Sequence, residues 1–207
     1  MPEPHRPRGP GDGLAGAKLA LRDQILTARN RLAVAELGAA GTAITGHLFA
    51  QPEMRRAATV AAYVSTASEP GTGVLLDALV DAGKRVILPV LLPDDDLDWA
   101  AYEGATSLLP ARRGILEPAG RRLGVDAIAT ADVVLVPGLA VSREGVRLGR
   151  GGGSYDRALA RVPAGTFTCV LLHDGEVGRG VPVAPHDRAV AAAVTPSGVT
   201  RFRRGPG

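Results

Sequence analysis

Ala131-Asp-Val-Val-Leu-Val-Pro137 is the stretch on which the fold turns. Val133, Val134, Leu135 and Val136 follow one another without a polar interruption, and β-branched residues predominate among them, which predicts a strand. A strand with one solvated face alternates apolar and polar residues. One without alternation is buried on both faces, as a central strand of a parallel sheet covered by helices is. Gly138 starts the loop at its carboxyl end, the edge of an open α/β sheet where ligands bind.

Strand and helix patterns alternate outward from this segment. Thr59-Val-Ala-Ala-Tyr-Val64 predicts a strand, Ser65 to Gly73 a polar turn, Val74 to Asp81 a helix closed by Gly83, and Arg85-Val-Ile-Leu-Pro-Val-Leu91 a second strand. That order is the strand–helix–strand unit from which parallel sheets are built. An acidic turn at Asp94 to Asp98 precedes a short strand at Trp99 to Tyr102, and Thr106 to Gly124 is a surface excursion with turns at Gly114 and Pro118. Tyr155 to Arg161 has a helical pattern, and Phe167 to Leu172 and Val190 to Thr195 are further strands. Ahead of all these, Leu19, Ile25, Leu26, Leu32, Leu37, Ile44 and Leu48 mark one long or two shorter amphipathic helices, with Gly38 and Gly41 allowing a break.

The expected fold is therefore α/β: a three-layer α/β/α arrangement with an open, largely parallel sheet and an N-terminal helical segment. A single domain is expected over residues 14–198, between a Pro- and Gly-rich disordered tail at 1–13 and a flexible basic tail at 199–207.

Composition narrows the function classes. A chain of 207 residues is long enough for one ordinary core, and 45% hydrophobic with 22% charged residues excludes wholesale disorder. Aromatic residues at 3% leave no surface for stacking nucleic-acid bases, so no nucleic-acid partner is expected. The 24 Lys and Arg against 21 Asp and Glu give +3, a balance that suits anionic small molecules. Cys169, the single cysteine, lies in an apolar strand and neither staples the fold nor shares a metal site. The histidines have no metal-ligand spacing. No apolar run approaches the ~20 residues that span a bilayer, and the start of the chain lacks a signal-like apolar centre, so a cytoplasmic protein without a membrane partner is expected.

The chemistry concentrates in Arg147-Leu-Gly-Arg-Gly-Gly-Gly-Ser-Tyr-Asp156. Gly149, Gly151, Gly152 and Gly153 let the backbone approach a ligand and turn its N–H groups toward phosphate oxygens. A helix starting near Ser154 or Tyr155 adds its positive end. Arg147 and Arg150 supply paired guanidinium donors for an anion. The same glycines also suit a plain structural turn, and no Gly-Lys-Ser or Gly-Lys-Thr follows as in a familiar nucleotide loop. Asp156 and Asp187 are two carboxylates able to hold Mg²⁺ beside phosphates, or a first-turn residue and a turn former. Lys18 and Arg22, four residues apart, share one side of the first helix, where a solvated face is the alternative. Ser65 to Glu69 follows a strand end; Glu69 can accept hydrogen bonds from an amino group, while Ser65 or Ser68 can cap the next helix.

Taken in order, these motifs resemble the 5-formyltetrahydrofolate cyclo-ligase (methenyltetrahydrofolate synthetase) family. The strongest likeness is Pro137-Gly-Leu-Ala-Val-Ser-Arg-Glu-Gly-Val-Arg-Leu-Gly-Arg-Gly-Gly-Gly-Ser-Tyr-Asp156, supported by Lys18-x-x-Leu-Arg22, Ser65 to Glu69, and Val181-Pro followed by His186-Asp187. The resemblance implies closure of 5-formyltetrahydrofolate to 5,10-methenyltetrahydrofolate with ATP and Mg²⁺, in a monomer or weak homodimer. It implies that Lys18 and Arg22 contact ATP phosphates and that Arg147 through Tyr155 wrap the nucleotide and adjoining folate. In this scheme Lys18, Arg147 and Arg150 serve catalysis, and Glu69, Tyr155 and the backbone near Val64 position the folate. Asp156 and Asp187 are the implied metal ligands. The implied mechanism is attack of the formyl oxygen on the γ-phosphorus, then attack of N10 on the activated carbon and loss of phosphate. Val141-Ser142 stands where the family usually has an aromatic residue and Asp, Ser154-Tyr155 where two tyrosines are common, and Ala191 where Asp is frequent. Alternatives are an ATP-dependent enzyme for another formylated or carboxylated metabolite, and a non-catalytic folate- or nucleotide-binding regulator.

Overall fold

A computed structural model describes residues 10–66 and 68–203. The first expected tail, 1–13, lies largely outside the described residues, and helix α1 reaches back into it, spanning Pro10–Arg29. Helices α2 (Val34–Phe49) and α3 (Pro52–Arg56) follow. The break between α1 and α2 falls at residues 30–33, and not at Gly38 or Gly41 as the glycines led one to expect. Both glycines are inside α2, and Gly41 is there for contact: a Cβ at this position would come within 2.2 Å of the Gly71 carbonyl oxygen. Instead, Glu36 reaches back to the Ala33 N–H at 2.7 Å and starts a new helix. The two helices meet at 106°, and no single helix among the described residues is long and apolar enough to cross a membrane.

The main sheet holds β1 (Thr59–Ala61), β2 (Arg85–Leu91), β3 (Leu97–Ala101), β6 (Val133–Pro137), β9 (Phe167–Leu171), β10 (Ala192–Thr195) and β11 (Gly198–Arg201) in the order β11-β10-β9-β6-β1-β2-β3. All neighbours pair in parallel except the outer strands β3 and β11. Two hairpins stand apart from it: β4 (Leu108–Pro110) with β5 (Leu116–Pro118), and β7 (Ala140–Val141) with β8 (Arg147–Leu148). β11 corrects the expectation of a flexible basic tail from 199. The turn after Thr195 folds Gly198–Arg201 back on β10, and Arg201 closes on Glu53 at 2.8 Å and lies 4.9 Å from the Phe167 ring.

Side chains alternate between the two faces, as the pleat requires. Val60, Val133, Leu135, Val86, Leu88, Cys169 and Leu171 enter one core, with Ile44 and Leu48 of α2 and the buried leucines of helix α4 (Gly73–Asp81). Ala61, Val134, Val136, Ile87 and Val170 enter the opposite core, with Trp99, Ile128 of a 3₁₀ segment, and Ala158 and Leu159 of helix α5 (Ser154–Ala160). The three layers expected are present, the second helical layer being the thinner. Val133 to Val136 are completely buried, which accounts for the unbroken apolar run.

The sheet order also fixes the place of a site. From β1 the chain moves one way to β2, whereas β6 leads the other way to β9 and β10. β1 and β6 are neighbours, so their loops diverge at their carboxyl ends and open a crevice at the topological switch point.

Candidate functional site

A cavity of about 1080 Å³ occupies that crevice. This lies just above the upper end of the ~300–1,000 Å³ range of common ligand pockets. Tyr63 and Val64 enter it from the end of β1 and Pro137 from the end of β6. Leu14, Ala15, Lys18 and Arg22 come from α1, and the whole run Arg147 to Asp156 forms the opposite wall. Asp187 and His186 close one end. Every residue singled out in the sequence as a site candidate thus lines one cavity.

Helix α1 reaches across the sheet by one face. Lys18, Arg22, Ile25 and Arg29 follow at spacings of four, three and four residues and therefore share a side. Ile25 packs on Leu139, Ala140, Leu148 and Val181. Arg22 Nε donates to the Gly149 carbonyl at 2.9 Å. Lys18 Nζ donates to both Asp187 oxygens, at 2.8 and 2.6 Å. Arg29 is buried at the far end; it donates to both Glu176 oxygens at 2.7 Å and to the Gly138 carbonyl at 2.8 Å. That anchor ties α1 to the loops after β6 and β9.

The glycine-rich segment lies as close to its arginines as the residue types require. A Cβ on Gly149 would meet an Arg147 guanidinium nitrogen at 2.7 Å, and Gly151 holds φ +110 beneath the Arg22 guanidinium. The helix that follows is only seven residues long, with Gly153 as its N-cap and no side-chain cap.

The two arginines of the segment differ sharply. Arg147 is 5% exposed; one nitrogen lies 3.1 Å from Asp156, its guanidinium carbon is 5.6 Å from the Tyr155 ring centroid, and its Nε has no partner. Burial pulls the Arg147 guanidinium below its ordinary range while Asp156 opposes the shift, and an arginine remains cationic throughout. Arg150 is half exposed, with its Nε 3.5 Å from Glu69 and a terminal nitrogen 3.4 Å from the Thr66 hydroxyl. Arg150 therefore spans the cleft from the glycine segment to the loop after β1, and it is the more available of the two clamps.

Glu69 is buried, and its second oxygen accepts from the Thr66 N–H at 2.8 Å and hydroxyl at 3.1 Å. Neither Ser65 nor Ser68 caps α4, whose N-cap is Thr72 without a side-chain cap hydrogen bond; instead Ser65 Oγ accepts from the Thr72 N–H at 3.0 Å and Thr72 Oγ1 accepts from the Ser65 N–H at 2.8 Å, closing the loop ahead of the helix. Ser142 likewise keeps its turn, since its hydroxyl accepts from the Glu144 and Val146 N–H groups at 3.1 and 3.2 Å. Two acceptor lone pairs do there what a carboxylate does elsewhere.

Both proposed metal ligands face the cavity, and each already has a cation: Lys18 on Asp187 and Arg147 on Asp156. Burial pushes the Asp187 carboxyl up, but the Lys18 hydrogen bond, the Ala184 N–H and the Lys18 charge outweigh it and hold the group below the usual carboxylate range. Among the described residues no cluster of three or more His, Cys, Asp or Glu forms a ready metal site. Two carboxylates still fit Mg²⁺, which commonly takes one or two protein oxygens and fills its remaining positions with phosphate and water.

Three contributors went unread in the sequence. Thr66, inside a segment already singled out, holds Glu69 and meets Arg150. The Arg29 anchor was available as the continuation of the Lys18–Arg22 face. The apolar wall supplied by Ile115 and Leu116 of the β4–β5 hairpin had no local signal, because its meaning depends on where the hairpin docks.

The fold and its cleft define an α/β protein with a large cavity, lined by arginines, glycines and carboxylates, at the switch point of a parallel sheet. Within that class, the model of the 5-formyltetrahydrofolate cyclo-ligase family matches residues 15–196, and the chain belongs to this family. It is 42% identical over 151 residues to the 5-formyltetrahydrofolate cyclo-ligase of Mycolicibacterium smegmatis, across 70% of this chain and 77% of that one. To the Escherichia coli K12 protein of the same name it is 36% identical over 156 residues, across 72% and 83% of the two chains. Among solved structures, the 5,10-methenyltetrahydrofolate synthetase of Aquifex aeolicus superposes with a TM-score of 0.76 at 28% identity, covering 92% of this chain and 95% of that one.

Proposed function

We propose that this protein closes 5-formyltetrahydrofolate to 5,10-methenyltetrahydrofolate with ATP and Mg²⁺, releasing ADP and phosphate. The observation that carries the reading is convergence: Lys18, Glu69, Arg150, Asp156 and Asp187, far apart in the chain, line one cavity in a member of this family. When bound, ATP supplies the phosphoryl group that converts the formyl oxygen from a poor leaving group into a good one, and Mg²⁺ neutralises phosphate charge.

The remaining work falls to positioning and electrostatics, as in other phosphoryl transfers. Lys18 and Arg147 would hold phosphate oxygens, and Asp187 and Asp156, their present carboxylate partners, would hold the metal. Arg150, half exposed beside Glu69 and Thr66, would neutralise charge on the phosphates, and the backbone of Gly149 to Gly153 would offer them N–H donors. Glu69 keeps its Thr66 contacts and accepts from an amino group of the folate. The apolar wall around Leu91, Leu97 and Ile115 receives the flat ring and excludes water. Tyr155, whose phenol burial pushes far up, stays neutral and packs beside Arg147.

The assay is direct. Purified protein with 5-formyltetrahydrofolate, ATP and Mg²⁺ should develop the near-ultraviolet absorbance of methenyltetrahydrofolate, and omission of ATP or Mg²⁺ should abolish it. Absence of ATP-dependent product over a wide range of substrate and metal would overturn the proposal.

A further inference from the structure

We propose that Tyr63 is a specificity-determining residue of this cleft, its hydroxyl donating a hydrogen bond to an acceptor atom of the bound heterocycle; the inference rests on the folate reading above. Tyr63 lies just beyond the end of β1, after Ala62, and lines the cavity beside Val64. Its ring belongs to the buried core with Leu75, Leu76 and Leu135, and the residue is 3% exposed. Packing therefore explains an aromatic ring at this position, but it does not explain the oxygen. Phenylalanine would fill the same space.

The Tyr63 Oη is buried and has no hydrogen-bond partner. Buried hydroxyls are almost always paired, because burial without a partner forfeits the bond to water, and an unpaired one calls for a reason. Burial, first, and the negative charge of Glu69, second, raise the phenol far above its ordinary range. The hydroxyl consequently keeps its proton at any working pH and is available as a donor. As a neutral phenol, unlike a carboxylate, it can donate to a ring carbonyl or ring nitrogen. Glu69, which lines the same cavity, offers carboxylate acceptors to a ring amino group. The two together read one acceptor and one donor on a flat ring, which fixes the face and direction in which it enters.

The hydroxyl and the packing of its ring can be tested apart. Tyr63→Phe removes an unpaired polar atom and leaves the packing, so the empty protein should melt at the same temperature or higher. The same variant should show a roughly tenfold rise in KM for 5-formyltetrahydrofolate, the usual scale for one buried hydrogen bond lost to a ligand, with KM for ATP within twofold of the parent. Calorimetric binding of 5-formyltetrahydrofolate without ATP should weaken by a similar factor. If the variant melts as expected and its folate KM and binding stay within twofold of the parent, the hydroxyl reads no ligand and the inference falls while the cyclo-ligase proposal stands. An inactive parent that also fails to bind the folate overturns both. Equal weakening toward ATP and folate would instead mark a general disturbance of the cleft and overturn the assignment to Tyr63.

Discussion

Replacing Arg29 with Met tests whether α1 is held by the buried pair at its far end. Arg29 is 2% and Glu176 8% exposed, and the guanidinium donates two bonds to the carboxylate and one to Gly138. Removing it leaves Glu176 with only the His173 N–H at 2.8 Å and the Gly138 carbonyl without that donor. An abandoned buried charge costs about 3–5 kcal/mol. For a domain of this size each kcal/mol moves the melting temperature ~2–4 °C, so Arg29→Met should lower it by roughly 6–20 °C. Adding Glu176→Gln removes the charge and keeps an acceptor for His173, and the double variant should recover more than half of that loss. Under the proposed function, both variants should raise KM for ATP more than for folate, because α1 carries Lys18 and Arg22 to the phosphate end. Thermal unfolding followed by circular dichroism, with kinetics on the same samples, measures both effects. A loss under about 1 kcal/mol for the single variant, or strictly additive losses in the double one, would refute the account of the anchor.

The remaining predictions follow from single contacts. Arg150→Ala removes a half-exposed side chain whose contacts are 3.4 and 3.5 Å long, so stability should move by no more than about 0.5 kcal/mol while turnover falls on the order of 100-fold; steady-state kinetics beside a melting curve separate the two. Gly41→Ala places a Cβ 2.2 Å from the Gly71 oxygen and should cost about 1–3 kcal/mol, with a raised folate KM because the displaced loop carries Glu69. Arg161 holds the Asp96 carboxyl below its ordinary value. A carboxyl lowered in the folded state contributes stability that is present above its unfolded value, about 3.9, and is lost as pH falls through the folded one. Asp96→Asn should therefore destabilise at neutral pH and flatten the acid limb of a stability-against-pH curve.

The parts of the fold that sequence made legible are those with a local cause. Arg85–Leu91 forms a strand over the residues expected, and Val133–Pro137 lies at the centre of the sheet because four residues with no polar face have nowhere else to go. The helix break was misplaced because glycine in a helix was read as flexibility, whereas Gly41 is required by the approach of another backbone. The last strand was missed for a different reason. Gly198–Arg201 is an exposed edge whose polar and basic residues look like tail; it turns back on the neighbouring β10 and is held by the Arg201–Glu53 contact, whose partner is remote in sequence.

At the site, residue types were legible and their availability was not. The sequence presents Lys18, Arg147, Asp156 and Asp187 as free charges, but folding pairs each cation with a carboxylate. A site of unpaired cations would bind any polyanion, and one of unpaired carboxylates would hold a metal with nothing to transfer. With the charges matched in advance, an anion alone must separate Lys18 from a carboxylate that then stands bare, and a cation alone must strip Asp187 of its lysine. A ligand that brings both signs together satisfies all four groups at once. Under the proposed function, the internal pairing would favour a metal-bound polyphosphate over either component, a selectivity that rests on the Lys18–Asp187 and Arg147–Asp156 pairs and that no count of charged residues along the chain contains.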